Sequence, residues 1–156
     1  MKLDLVIREL HRAESELLDV LRRMADEHTS DPDTHHVARD LATWSRRHVH
    51  VLAQIGKEHQ LDLDPDPDGA AAAPTEAVAW LGPDPAPPLV LLADYRHLYR
   101  VASGAYLDWT VLAQSAQAAR LPELLDLAQQ CQSETERQMR WAKSRLTDAA
   151  PQAFAG

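Results

Sequence analysis

The sequence predicts an all-α protein, a four-helix bundle formed by a single domain over residues 1–156. Three observations carry that prediction. Apolar residues recur three and four apart through four long segments, the period of a helix with one buried face. No segment of useful length alternates apolar with polar residues as a half-buried strand does. Only five glycines and few β-branched runs lean the composition toward helix.

The first helix spans about 3–28, "LDLVIRELHRAESELLDVLRRMADEH", with a seam of Leu3, Val6, Leu10, Ala13, Leu17, Val20 and Met24, widened by Ile7, Leu18 and Leu21. The second, about 33–60, opens at "SDPD". There Asp31 is placed to cap the free N–H groups, and Pro32 occupies the first helical position, where its missing N–H costs nothing. Its seam reads Val37, Leu41, Trp44, His48, Val51 or Leu52, and Ile55. The third, about 88–120, carries Leu91, Tyr95, Leu98, Ala102, Ala105, Tyr106, Trp109, Leu112 and Ala116 on one face. Gly104 inside it costs roughly 1 kcal/mol relative to alanine. The fourth, about 122–148, starts at Pro122 and runs through Leu124, Leu125, Ala128, Cys131, Thr135, Gln138 or Met139, Ala142 and Leu146, leaving a frayed tail "APQAFAG".

Connection lengths choose the topology. A few residues join helices one and two, and three and four, so each pair is antiparallel. The linker 62–87 is long for a compact domain. A 28-residue helix is roughly 40 Å long, and an extended chain of the linker's length returns along it, letting the third helix run parallel to the second. Two hairpins joined by one long Pro/Asp-rich crossover is the ferritin-like arrangement; an ordinary four-helix bundle with a disordered middle is the alternative. Seven prolines over 62–88 favour a stiff surface strap. Its "TEAVAWL" reads as a short helical turn with Thr75 as cap and Trp80 packing on the bundle.

Composition narrows the function classes. The net charge is −8, and residues 62–88 hold five Asp, one Glu and no Lys or Arg, so the rest of the chain is near balance. No basic stripe suits nucleic acid. No apolar run approaches the ~20 residues that span a bilayer, and "MKLDLVIREL" lacks the apolar core of a signal peptide. A cytoplasmic protein without nucleic-acid or membrane partners is expected. Cys131 is the single cysteine, which excludes an internal disulfide and a cysteine-based zinc site.

Chemistry is sought among polar residues that interrupt the apolar seams. Glu14 lies among Leu10, Leu17, Leu18 and Leu21, so it faces inward or sits at the seam edge, where an arginine would be its ordinary partner. His48 falls four residues after Trp44 and points inward, whereas His50 lies about 200° around the helix and is exposed. His28, His35, His36 and His59 read as solvent-facing, and His11 and His97 as surface residues. Glu134 lies near Cys131 and Gln138, with an edge ion pair as its ordinary role; Glu16 and Glu136 read as solvated.

"ELHRAESELL" (9–18) and "SRRHVHVL" (45–52) resemble a ferritin-like stress-response family widespread in bacteria. That family has an Ala-Glu pair in helix one and a Thr-Arg-x-His-Val stretch in helix two. "AYLDWTVLAQ" and "LLDLAQQCQSET" resemble its last two helices more loosely. The resemblance implies a carboxylate-rich metal centre to which Glu14, His48 and Glu134 correspond. Departures are specific. Ser45 stands three residues before His48, where a Glu-x-x-His pair has its carboxylate, Ala102 replaces the third helix's bridging carboxylate, and Arg137 follows Glu134 where histidine belongs. The leading expectation is therefore a bundle with a largely lost metal centre. Such a protein has no cofactor and acts through its surface as a homodimer or larger assembly, or with a protein partner. The alternative is an oxidase or peroxidase using Glu14, His48 and Glu134 around a single iron, manganese or zinc ion. A three-histidine centre finds too few inward histidines.

Overall fold

The computed structural model describes residues 2–67 and 75–155, and every described element is helical. Four long helices are α1 (Leu3–Glu27), α2 (Pro32–Glu58), α4 (Pro87–Ala118) and α5 (Pro122–Ala155). Between α2 and α4 lie the one-turn α3 (Thr75–Val78) and a 3₁₀ turn at Ala79–Leu81.

Local chemistry sets the boundaries. Asp31 accepts a hydrogen bond from the Thr34 N–H at 3.1 Å and Pro32 opens α2, as the "SDPD" motif predicts. At the other end Gln60 takes a left-handed φ of 57°, and the Leu61 N–H donates back to the Gly56 carbonyl at 2.9 Å. Helix α4 stops in the same way, with Arg120 at φ 58° and Leu121 N–H donating to Ala116 at 2.9 Å. Both stops satisfy otherwise orphaned carbonyls without the usual glycine. The tail differs from its expected fraying. Helix α5 continues through Pro151 to Ala155, because a proline so near the end removes one hydrogen bond but leaves the preceding turns intact.

Cross-helix contacts define the directions. Glu14 meets Trp109 and Arg23 meets Asp94, so α1 runs antiparallel to α4. His48 meets Glu134 and Asp31 meets Arg145, so α2 runs antiparallel to α5. Helices α2 and α4 therefore run the same way, and the described start of the connection between them turns back along α1 and α2. Its first part is strapped down: His11 Nε2–H donates to the Asp64 carbonyl at 2.7 Å, and Arg22 and Arg46 both pair with Asp66. Residues 68–74 and the Thr75 side chain, with the cap expected there, lie outside the described residues. Trp80 packs on the bundle by one face only. It is 47% exposed beneath the Arg96 guanidinium, and Ala77 is the residue of this segment that packs inward.

Apolar burial forms two clusters. One contains Leu17, Leu18, Leu21, Met24, Leu41, Tyr95 and Leu98; the other contains Leu3, Ile7, Leu10, Leu52, Trp109 and Leu112. Between them lies a layer of buried polar residues, Glu14, Ser45, His48, Thr135 and Gln138. The buried face of α2 is turned slightly from the expected seam. Ser45 is fully buried, while Val37, Trp44 and Ile55 pack at the edges. In α4, Leu91 and Tyr106 are likewise half-buried rather than central.

Candidate functional site

The polar layer draws on all four long helices. In α1, Glu14 occupies a position between Leu10 and Leu17 or Leu18, so helical geometry drives its carboxylate into the interior. In α2, Leu41, Ser45, His48 and Leu52 follow at spacings of four, three and four and share the inward face. Trp109 of α4 and Cys131 and Glu134 of α5 complete the layer.

Glu14 and His48 are 0% and 1% exposed. His48 Nδ1 donates to Glu14 Oε1 at 3.2 Å, and its Nε2 donates to Glu134 Oε1 at 3.3 Å. Trp109 Nε1–H donates to the same Glu14 oxygen at 2.8 Å. The remaining oxygen, Glu14 Oε2, is buried and has no hydrogen-bond partner among the described residues. Glu134 is less enclosed, and its Oε2 pairs with Arg47, whose side chain is half exposed. The network thus runs from a buried indole to a surface guanidinium. A protonated His48 balances it, two cations against two carboxylates.

Burial is the largest influence on His48 and disfavours its charged form. The Glu14 carboxylate, contact with Cys131 and the hydrogen bond to Glu14 together outweigh it, holding the imidazole well above its ordinary 6.5. The raised value favours the imidazolium form, which donates from both nitrogens.

All three residues singled out by sequence, Glu14, His48 and Glu134, converge here. The arginine expected beside Glu14 is absent: Trp109 and His48 take that role, and the arginine contact falls on Glu134 instead. Cys131, set aside with cysteine-based metal chemistry, belongs to the layer. Its sulfur, a His48 nitrogen and a Glu134 oxygen all lie within 4.8 Å of one another. The Cys-x-x-Glu spacing, 131 to 134, was the available signal, because residues three apart share a helix face.

These residues do not fit a two-metal centre. Ser45, three residues before His48, is fully buried where a Glu-x-x-His pair would have its carboxylate, and its Oγ accepts instead from Gln138 Nε2 at 2.9 Å, while the α4 residue that meets Glu14 is Trp109. Gln138 also donates to the Leu41 carbonyl at 3.1 Å, so the interior here is filled by neutral hydrogen bonding. A single ion is a different matter, since His48, Cys131 and Glu134 offer three donor types compatible with zinc or iron.

A second buried charge cluster escaped the sequence reading. Asp94, 0% exposed, accepts from Arg23 at 3.1 Å and from His28 Nε2 at 2.6 Å. His28 is therefore not solvent-facing. His35 is half-buried as well, donating to the Ala25 carbonyl at 2.7 Å, and His59 is half-buried; His36 and His50 are exposed as expected. Every carboxylate oxygen of Asp94 is occupied, so this cluster reads as a clamp between the end of α1 and the start of α4.

Comparison with protein-family models, curated proteins and solved structures returns no match. The functional reading rests on the geometry of the site.

Proposed function

We propose that this protein is a ferritin-like four-helix bundle whose metal centre is largely lost, and that it acts non-catalytically through its surface as a structural or stress-associated interaction protein. The single observation that carries this reading is the saturation of His48. Both ring nitrogens are engaged by carboxylates, and the outer carboxylate is held in turn by Arg47. A nitrogen that donates a proton to a carboxylate has no lone pair for a metal. Ser45 supports the same conclusion, since it stands where a carboxylate would help balance a second dication. The test is metal content after purification without chelator. Substoichiometric transition metal and a thermal midpoint unaffected by EDTA are expected. One tightly held transition ion per chain would overturn the reading.

One observation favours a second reading, the grouping of His48, Cys131 and Glu134 donors within 4.8 Å. On this reading His48 binds a single ion through Nε2 while Nδ1–H remains on Glu14, the usual arrangement in which a carboxylate fixes the tautomer of a metal-binding histidine. Cysteine favours zinc or iron over manganese, and an open coordination position suits activation of oxygen, peroxide or water. Here His48→Ala and Cys131→Ser should each abolish binding in a zinc titration while leaving the helical spectrum unchanged. Retained stoichiometric binding in both variants would dismiss it.

A further inference from the structure

Helices α2 and α5 meet in the middle of their seam and part at one end. His48 reaches Glu134 at 3.3 Å, and Gln138 reaches Ser45 at 2.9 Å and the Leu41 carbonyl at 3.1 Å. Toward the end of α2 and the start of α5, the apolar side chains Ile55, Leu124 and Leu127 are only half-buried, and Leu121 is 40% exposed. A cavity of about 630 Å³ lies among them. Small-molecule pockets occupy roughly 300–1,000 Å³ and have mostly apolar walls with a few polar groups, which is the character of this cleft.

Two unusual helix stops hold its walls in place. Gln60 and Arg120 take left-handed backbone conformations without being glycine, and they adjoin the lining residues His59 and Leu121. Each stop returns an N–H to its own helix, Leu61 to Gly56 and Leu121 to Ala116, both at 2.9 Å. The Leu125 N–H then donates to the Leu121 carbonyl at 3.0 Å, tying the start of α5 to the same turn. Strained backbone fixed by hydrogen bonds keeps the cleft pre-formed, which spares a ligand the cost of ordering it.

Charge says what the cleft takes. Its charged lining is Glu58 from α2 and Glu123 from α5, with no lysine or arginine. Neither glutamate forms an ion pair among the described residues, and the adjoining Lys57 and Arg120 reach neither. Helix α2 ends here and α5 begins here, so their end dipoles oppose one another and the carboxylates set the sign. An apolar cavity with an acidic rim complements an ammonium group carried on an apolar body. An anion would meet two carboxylates, and a neutral chain would leave both without a partner.

We propose that this cleft binds a small amphipathic amine. The apolar body lies among Ile55, Leu121, Leu124 and Leu127, and the ammonium group lies at the rim with Glu58 and Glu123. This site is separate from the Glu14–His48 centre and independent of what that centre binds.

Octylammonium titrated into the full chain by calorimetry tests it, with octanoate and octanol as controls of the same length. Saturable binding at one site per chain is expected for the ammonium, and at least about tenfold weaker binding for either control. The double change Glu58→Gln and Glu123→Gln should weaken octylammonium at least about tenfold and leave the helical spectrum unchanged, since both side chains are exposed. No saturable uptake of octylammonium overturns the proposal. So does an affinity that the double variant keeps, or one that octanoate or octanol matches.

Discussion

Trp109 and Glu14, 95 residues apart in the chain, share a fully buried hydrogen bond of 2.8 Å that ties α4 to α1 at the level of the polar layer. The indole is the shorter of two donors to that oxygen, His48 standing at 3.2 Å. Trp109 is thereby both a core side chain and the orienting group for the carboxylate that faces His48. Trp109→Phe keeps most of the ring but removes the N–H. It should cost about 1–3 kcal/mol in urea unfolding, the range for leaving a buried acceptor short of a partner.

Removing the Glu14 charge should be worse. Glu14→Gln leaves the His48 imidazolium with only the half-open Glu134 beside it, and breaking a buried pair from one side costs about 3–5 kcal/mol. The same change should let burial prevail, so that a His48 ring resonance that titrates well above pH 6.5 in the wild type titrates far lower in the variant. The sign for stability follows from the raised folded value. His48 contributes fully below its unfolded pKa of about 6.5, and the contribution is lost as pH rises through the folded value. Wild-type stability should thus decline on the alkaline side more than that of Glu14→Gln. Parallel curves for the two proteins would contradict the assignment.

Asp94 should govern the acid limb. Burial is the largest influence and raises its pKa, but hydrogen bonds from His28 and Arg23 outweigh it and hold the carboxyl below its usual 3.8. A depressed value means that the contribution is present above about pH 3.8 and is lost as pH falls through the folded value. Asp94→Asn should unfold more easily at neutral pH and show a shallower loss of stability below pH ~4, read by circular dichroism.

Arg47 separates the two readings of the centre. Its side chain is 51% exposed, so its pairing with Glu134 is screened by solvent and Arg47→Ala should cost less than about 1 kcal/mol. On the single-ion reading, removing this cation from beside a ligand oxygen should tighten zinc binding. On the lost-centre reading, calorimetry of the variant should show no zinc uptake at all.

Periodicity alone placed all four long helices, because burying one stripe of a helix imposes a repeat of three and four that no loop imitates. Glu14 and His48 were readable for the same reason, as polar residues in positions where an apolar side chain belongs. The "SDPD" start was readable because capping is local, satisfied within a few residues of chain. Asp94, one residue before the expected Tyr95, was not, since its partners Arg23 and His28 lie on another helix and only their approach makes its burial affordable. Cys131 was passed over because a lone thiol has no meaning until its neighbours are known. The sequence determined the approximate inward stripe of each helix, a property of each helix by itself, though not the burial of Ser45 or Asp94. The tertiary structure decided what each stripe meets, because the rotation and depth of each helix against its neighbours are set by packing between segments far apart in the chain. The outcome is that the histidine read as inward lies between two carboxylates, the outer one held by an arginine at the surface.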